Sequence, residues 1–189
     1  MNKKKLLVIV DMIQGFVKEG NMADPYINHI TPEVLRLTKK FMEEGEDVIA
    51  FKDMHEIGCK EFTKFPEHCV KGTKECELVE ELQVYEPQMT LIPKNSTNGF
   101  ITPAYQNYLR INQHKIREIV VCGCCTDICV TNFTISQLND IDQKNLDIEV
   151  VVPENAIETY DAEVHPRDQY HKMGKILMKQ AGAKLVKKY

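Results

Sequence analysis

The sequence predicts an α/β fold, a three-layer α/β/α sandwich on a mostly parallel sheet, with residues 1–189 forming one domain. Three observations predict it. Residues 5–10, 47–51 and 117–122 are short runs dominated by Val, Ile, Leu and other apolar residues, without the alternation of a half-solvated strand. Strands covered on both faces of a parallel sheet read this way. Helical patterns and capping signals fall between such runs, and strands alternating with helices mean an α/β sheet. A chain of 189 residues suits a single sizeable core, and it holds no internal repeat, low-complexity tract or linker.

The first strand, 5–10, ends at Asp11, on the edge where open α/β sheets place their ligands; an aspartate there also commonly caps the next turn. Phe16 follows in the loop, either as a lid on the core or as a wall for a flat ligand. Thr31-Pro32-Glu33 opens a helix running to about residue 45: a capping hydroxyl, a proline at the first helical position and an acid beside the dipole. Leu35, Leu37, Phe41 and Met42 form its apolar stripe. Residues 47–51 form the second strand, completing a βαβ unit that the usual rule makes right-handed.

Residues 52 to about 72 form a long irregular stretch carrying Asp53, His55, Glu61 and His68, with Phe65-Pro66 before the last. Long loops in compact domains are usually functional or disordered. Imidazole and carboxylate together suit borderline ions such as Zn²⁺ or Fe²⁺, and Asp-x-His places two donors on one side of an extended segment; surface acids and histidines also co-occur by chance. Cys59 and Cys69 lie nearby, as soft ligands or as buried thiols.

Residues 89–93 read as the third strand, followed by Lys94, either a solvated lysine or a positive charge at the mouth of a cleft. A polar turn spans 95–100, a helix 104–113, and the fourth strand 117–122. Gly123 through Val130 then leads into a helix over 127–138, with Thr126 as its cap and Asp127 favourable in its first turn. That places Cys129 near a helix N-terminus, where free N–H groups and the dipole lower a thiol pKa; the bland alternative is a small buried hydrophobe. A strand at 147–152, a long helix at 162–181 and a last strand at 183–186 complete the chain.

The net charge of -4, without a basic block, argues against a nucleic-acid partner. No apolar run approaches the length of a membrane span, and Met1-Asn2-Lys3-Lys4-Lys5 leads into a strand rather than a signal peptide. Seven cysteines, an odd number, without a secretory signal imply reduced thiols and a cytoplasmic protein. Homo-oligomerisation is left open.

Asp11, Lys94 and Cys129 follow the first, third and fourth strands, three reactive groups on one sheet edge. Here the sequence resembles the isochorismatase-like cysteine hydrolases and, within them, the nicotinamidases. The resemblance spans roughly residues 4 to 186 and rests on five stretches: 11–16, Asp53-Met54-His55, 65–73, Lys94, and 123–130. It implies the isochorismatase-like hydrolase fold and a catalytic triad of Asp11, Lys94 and Cys129. It implies an oxyanion hole from the backbone N–H groups of Cys125 and Cys129, beside a cis peptide at Cys124–Cys125. It also implies a divalent metal, Zn²⁺ with Fe²⁺ or Mn²⁺ as alternatives, held by Asp53, His55 and His68. Glu61 stands where many members carry a further histidine and some carry glutamate. Phe65 stands where many carry tryptophan, and the loop 11–16 departs from the commoner Asp-x-Gln-Asn-Asp-Phe form. The implied reaction is hydrolysis of nicotinamide to nicotinate and ammonia through a cysteine thioester, within NAD salvage. The metal would orient the pyridine ring between Phe16 and Phe65. Other amidohydrolases of the superfamily, acting on carbamoyl or ureido acids, generally lack the metal motif, and its isochorismate hydrolases lack the cysteine. A non-catalytic protein with a thiolate cluster at Cys122, Cys124, Cys125 and Cys129 is the reading from another class; that spacing fits no common cluster.

Overall fold

A computed structural model describes residues 4–189; Met1, Asn2 and Lys3 lie outside the described residues. In chain order the main elements are β1 (Lys4–Val10), α1 (Gln14–Val17), α2 (Thr31–Glu43), β2 (Asp47–Asp53), α3 (Glu80–Gln83), β3 (Thr90–Lys94), α4 (Pro103–Asn112), β4 (Ile116–Cys124), α5 (Thr131–Lys144), β5 (Glu149–Pro153), β6 (Ile157–Glu158), α6 (Arg167–Gln180) and β7 (Lys184–Val186). The strand order is β3-β2-β1-β4-β5-β7, with β6 beside the end of β4. Every pairing among these strands is parallel.

Successive residues of β1 enter opposite cores, which is why its apolar run is unbroken. Leu7 and Ile9 pack in a core with Val34, Leu37 and Phe41 of α2. Leu6, Val8 and Val10 pack in another with Tyr105 and Leu109 of α4, Phe133 and Ile141 of α5, and Met178 of α6. The α/β/α layering and the parallel sheet are those the sequence predicts.

β1 and β4 close up where the reactive groups emerge. Gly123, opposite Val10 in register, has φ +114°, and a Cβ there would lie 2.0 Å from the Val10 carbonyl oxygen. Only glycine fits so close an approach. On the outer side, a Cβ on Gly174 of α6 would lie 2.8 Å from Asp127 Cα, so the missing side chain lets α6 pack on the turn carrying Cys129.

Three local expectations are corrected. Thr31 does not cap α2, because a 3₁₀ turn, Pro25–Ile30, runs straight into it; Asp24 caps that turn by accepting from the Tyr26 N–H. Thr126 is not a cap either. It lies inside a π turn, Thr126–Val130, that precedes α5, and its hydroxyl meets His171 Nδ1 at 3.0 Å. The long helix starts at Arg167 instead of residue 162. Pro166 disfavours helical backbone at the residue before it, and Ala162 and His165 instead bond each other across a tight antiparallel turn.

Candidate active site

The groups singled out at the strand ends meet at the carboxyl edge of the sheet. Asp53 and Lys94 are register partners on β2 and β3, so their side chains leave the same face. Asp11, directly after β1, takes positive φ, a conformation aspartate tolerates. Its Oδ1 accepts the Asp53 N–H at 3.0 Å. The Lys94 ammonium lies 2.8 Å from Asp11 Oδ2, 2.9 Å from Asp53 Oδ1 and 3.6 Å from Cys129 Sγ. Lys94 thus bridges both carboxylates and the sulfur. All four side chains are buried.

Burial sets the proton balance. It pushes Asp11 up to about 6, against the pull of Lys94. Burial opposes the charge on Lys94 too, but Asp11 and Asp53 hold its pKa well above the ordinary value. For Cys129, burial pushes the thiol well above its usual range, although Lys94 pulls it down. The expectation of a lowered thiol pKa is therefore corrected: desolvation outweighs the pull of Lys94, and the resting sulfur keeps its proton.

The turn carrying Cys129 is unusual. The Cys125 carbonyl accepts from the N–H groups of Ile128 and Val130, both at 3.1 Å, a pattern that passes over the Cys129 N–H. π turns of this kind recur at functional sites. The Cys124–Cys125 peptide is cis, as the resemblance implies.

Next to these groups, Asp53, His55, Glu61 and His68 bring one donor atom each to within 4.8 Å of one another. The loop reaches this shape through a parallel bridge: His55 N–H donates to the Cys69 carbonyl, and Lys71 N–H donates to the His55 carbonyl. His68 Nδ1 lies 2.8 Å from the Pro66 carbonyl, which can only accept, so Nε2 carries the lone pair. His55 Nδ1 is likewise held by Asn95 Oδ1 at 2.8 Å. His55 Nε2 is buried, makes no hydrogen bond, and faces Asp53 Oδ2 at 3.2 Å. A lone pair against a carboxylate oxygen is favourable only with a proton or cation between them. Without an ion a proton serves: burial disfavours it, but Asp53 raises His55 to about 9. The donor set fits a divalent ion. Its two imidazoles and two carboxylates suit borderline metals, and each histidine has the oxygen partner that orients a ligating ring.

Both clusters open into one cleft, lined by Phe16, Asp53, Glu61, Phe65, His68, Cys125 and Cys129. Met22, Thr97, Ile128 and Tyr160 complete the lining and are residues the sequence did not single out. Nor did it single out Phe62, whose ring packs edge-on to His55 and His68, or the particular role of Asn95. The one available signal was the polar turn directly after Lys94. Cys122, Cys124 and Cys125 belong to one core and Cys129 to the other, and among the described residues the only group of converging metal-donor atoms is Asp53, His55, Glu61 and His68.

The isochorismatase domain model matches residues 5–187. The chain belongs to the isochorismatase family. Nicotinamidase 1 of Arabidopsis thaliana is 32% identical to this isochorismatase-family chain, over 96% of the chain and 85% of that protein. The crystal structure of a nicotinamidase from Bacillus subtilis superposes with a TM-score of 0.81 at 25% identity, covering 97% of this chain and 99% of that one. That of a pyrazinamidase from Pyrococcus horikoshii in complex with zinc gives 0.78 at 24% identity, covering 97% and 98%. Among the described residues of the isochorismatase-family chain, no helix is long and apolar enough to cross a membrane.

Proposed function

We infer that the protein is a nicotinamidase, an amidohydrolase that converts nicotinamide to nicotinate and ammonia. The observation carrying this reading is that a four-donor metal group and a thiol–carboxylate–ammonium group share one cleft, joined through Asp53. A carbamoyl or ureido acid has no ring nitrogen and would leave the four donors without a role, so that alternative is the weaker one.

In this reading Asp11 takes the Cys129 proton and Lys94 stabilises the charges that develop, which the raised thiol pKa makes necessary. The sulfur attacks the carboxamide carbon, and the N–H groups of Cys125 and Cys129 hold the oxyanion. The C–N bond breaks as Asp11 returns its proton to the leaving ammonia, and a thioester remains. Asp11 then accepts a proton from water as it attacks; nicotinate leaves and the thiol re-forms. Phe16 and Phe65 flank the pyridine ring. Asp53, His55, Glu61 and His68 would hold the ion, Zn²⁺ on this donor set with Fe²⁺ or Mn²⁺ as alternatives, which supplies a Lewis acid toward a ring nitrogen. The chain acts as one hydrolase domain on a small molecule, and its seven unpaired cysteines suit a cytoplasmic setting in NAD salvage.

The direct test is to incubate reduced, metal-replete protein with nicotinamide and measure both products. Equimolar nicotinate and ammonia are expected. Cleavage of a carbamoyl or ureido acid with no nicotinate formed would overturn the assignment.

A further inference from the structure

We propose that Tyr160 is the wall that limits the ring-binding cleft to a single ring, and that His165 and Asp127 are the positioning residues that fix it there. The proposal rests on the nicotinamidase reading for the identity of the ring. Next to the cleft lies an open groove lined by Asn21, Asp24, Asp161 and Arg167 among others. Of the residues lining the two spaces, Met22 and Tyr160 alone belong to both, so these two residues stand where the spaces meet.

The groove is not built to hold a ligand, because its charged groups already satisfy one another. Arg167 pairs with Asp24, its Nε donates to the Thr159 carbonyl, and its backbone N–H donates to Asp161. Asp161 N–H in turn donates to Asp24. The groove is therefore space into which a larger substrate would project if the wall were absent.

Tyr160 is firmly held. Its ring stacks on the His165 imidazole at 3.9 Å and 7°, and the imidazole also stacks on Tyr170 at 3.8 Å and 25°. His165 Nδ1 lies 3.1 Å from the Tyr160 carbonyl, and Nε2 lies 2.9 Å from Asp127 Oδ2. Asp127 Oδ1 accepts the Thr159 hydroxyl at 2.6 Å, fixing the residue before Tyr160 as well. Asp127 belongs to the same π turn as Cys129. One turn thus sets the position of both the nucleophile and the wall that determines how large a group can reach it.

The test reads access to Cys129 by size. Iodoacetamide and its N-naphthyl derivative are reacted with the parent, Tyr160→Ala, Tyr160→Phe, His165→Ala and, as a control at an exposed neighbour, Val164→Ala. Modification of Cys129 is followed by peptide mass spectrometry. The bulky-to-small rate ratio is expected to rise roughly tenfold in Tyr160→Ala, the order of discrimination a pocket wall provides. It should stay at the parent value in Tyr160→Phe and Val164→Ala and fall between in His165→Ala. Tyr160→Leu replaces Tyr160→Ala if the latter does not fold. In parallel, kcat/KM for quinoline-3-carboxamide relative to nicotinamide should rise in the same order. An unchanged labelling ratio on truncation of Tyr160, or an equal rise in Val164→Ala, overturns the wall. Failure of the parent to hydrolyse nicotinamide would overturn the functional reading instead, and would leave the labelling ratio to decide the wall by itself.

Discussion

The two halves of the cleft are placed by different means. Asp11 and Lys94 sit just beyond β1 and at the end of β3, and Cys129 in the π turn after β4, so a buried parallel sheet and one turn packed on it fix their positions. His55, Glu61 and His68 are carried by the loop after β2, which is shaped by one parallel bridge and a 3₁₀ turn at Lys60–Thr63. The first half is electrostatically close to complete, with Lys94 between Asp11 and Asp53. The second half is not: Asp53 and Glu61 face two imidazoles, one with an unpartnered nitrogen, and favour an added cation. Asp53 belongs to both, with Oδ1 on Lys94 and Oδ2 toward the histidines. Burial opposes its charge, but Lys94 and the imidazoles outweigh it and hold its carboxyl far below the usual range. Under the proposed function the difference separates roles: the sheet edge would carry the bond-making groups, and the loop a substrate handle completed by an ion.

The sharpest break of that division is at the sulfur. Cys129→Ala should lower turnover by about 10⁴-fold or more while metal content stays at the parent level. Cys125→Ala should keep activity, since only its backbone N–H is used; kinetics with metal analysis on both variants checks this. Lys94→Met attacks the link between the halves. It leaves two buried carboxylates without their partner and should cost about 3–5 kcal/mol in denaturant unfolding, with loss of turnover.

Removing the ion sharpens the comparison from the other side. Chelated protein should lose nicotinamide hydrolysis yet keep Cys129 reactive toward a small electrophile. Glu61→Ala and Asn95→Ala should each weaken metal affinity by at least about tenfold without changing that reactivity. Equal metal retention in Glu61→Ala and the parent would remove Glu61 from the donor set. The smallest effect lies behind the Cys129 turn. Burial holds the pKa of His171 below its ordinary value, so acid favours the unfolded chain, where the imidazole charges freely. The stability this residue lends is present above about pH 6.5, the ordinary histidine value, and is lost as the pH falls below it. The Tm advantage of the parent over His171→Gln should therefore shrink between pH 7.5 and pH 5.5 in a thermal-melt series.

Sequence by itself determined the α/β class, the strand ends and the reactive groups on them. Buried parallel strands are unbroken apolar runs, and the residue that ends such a run is placed by the sheet whatever surrounds it. It also determined the donor types at Asp53, His55, Glu61 and His68. Tertiary structure alone decided what depends on contact between distant segments. The bridge between His55 and Val70, the Asn95 oxygen behind His55 and the return of Tyr160 across the cleft have no local pattern. Two capping residues were misread because hydroxyl capping signals are local, whereas Thr126 is claimed by His171, 45 residues away. The direction of the Cys129 pKa was misread for the same physical reason. A helix following a strand is visible in the sequence, but the burial that raises the thiol exists only once both cores have closed around the site.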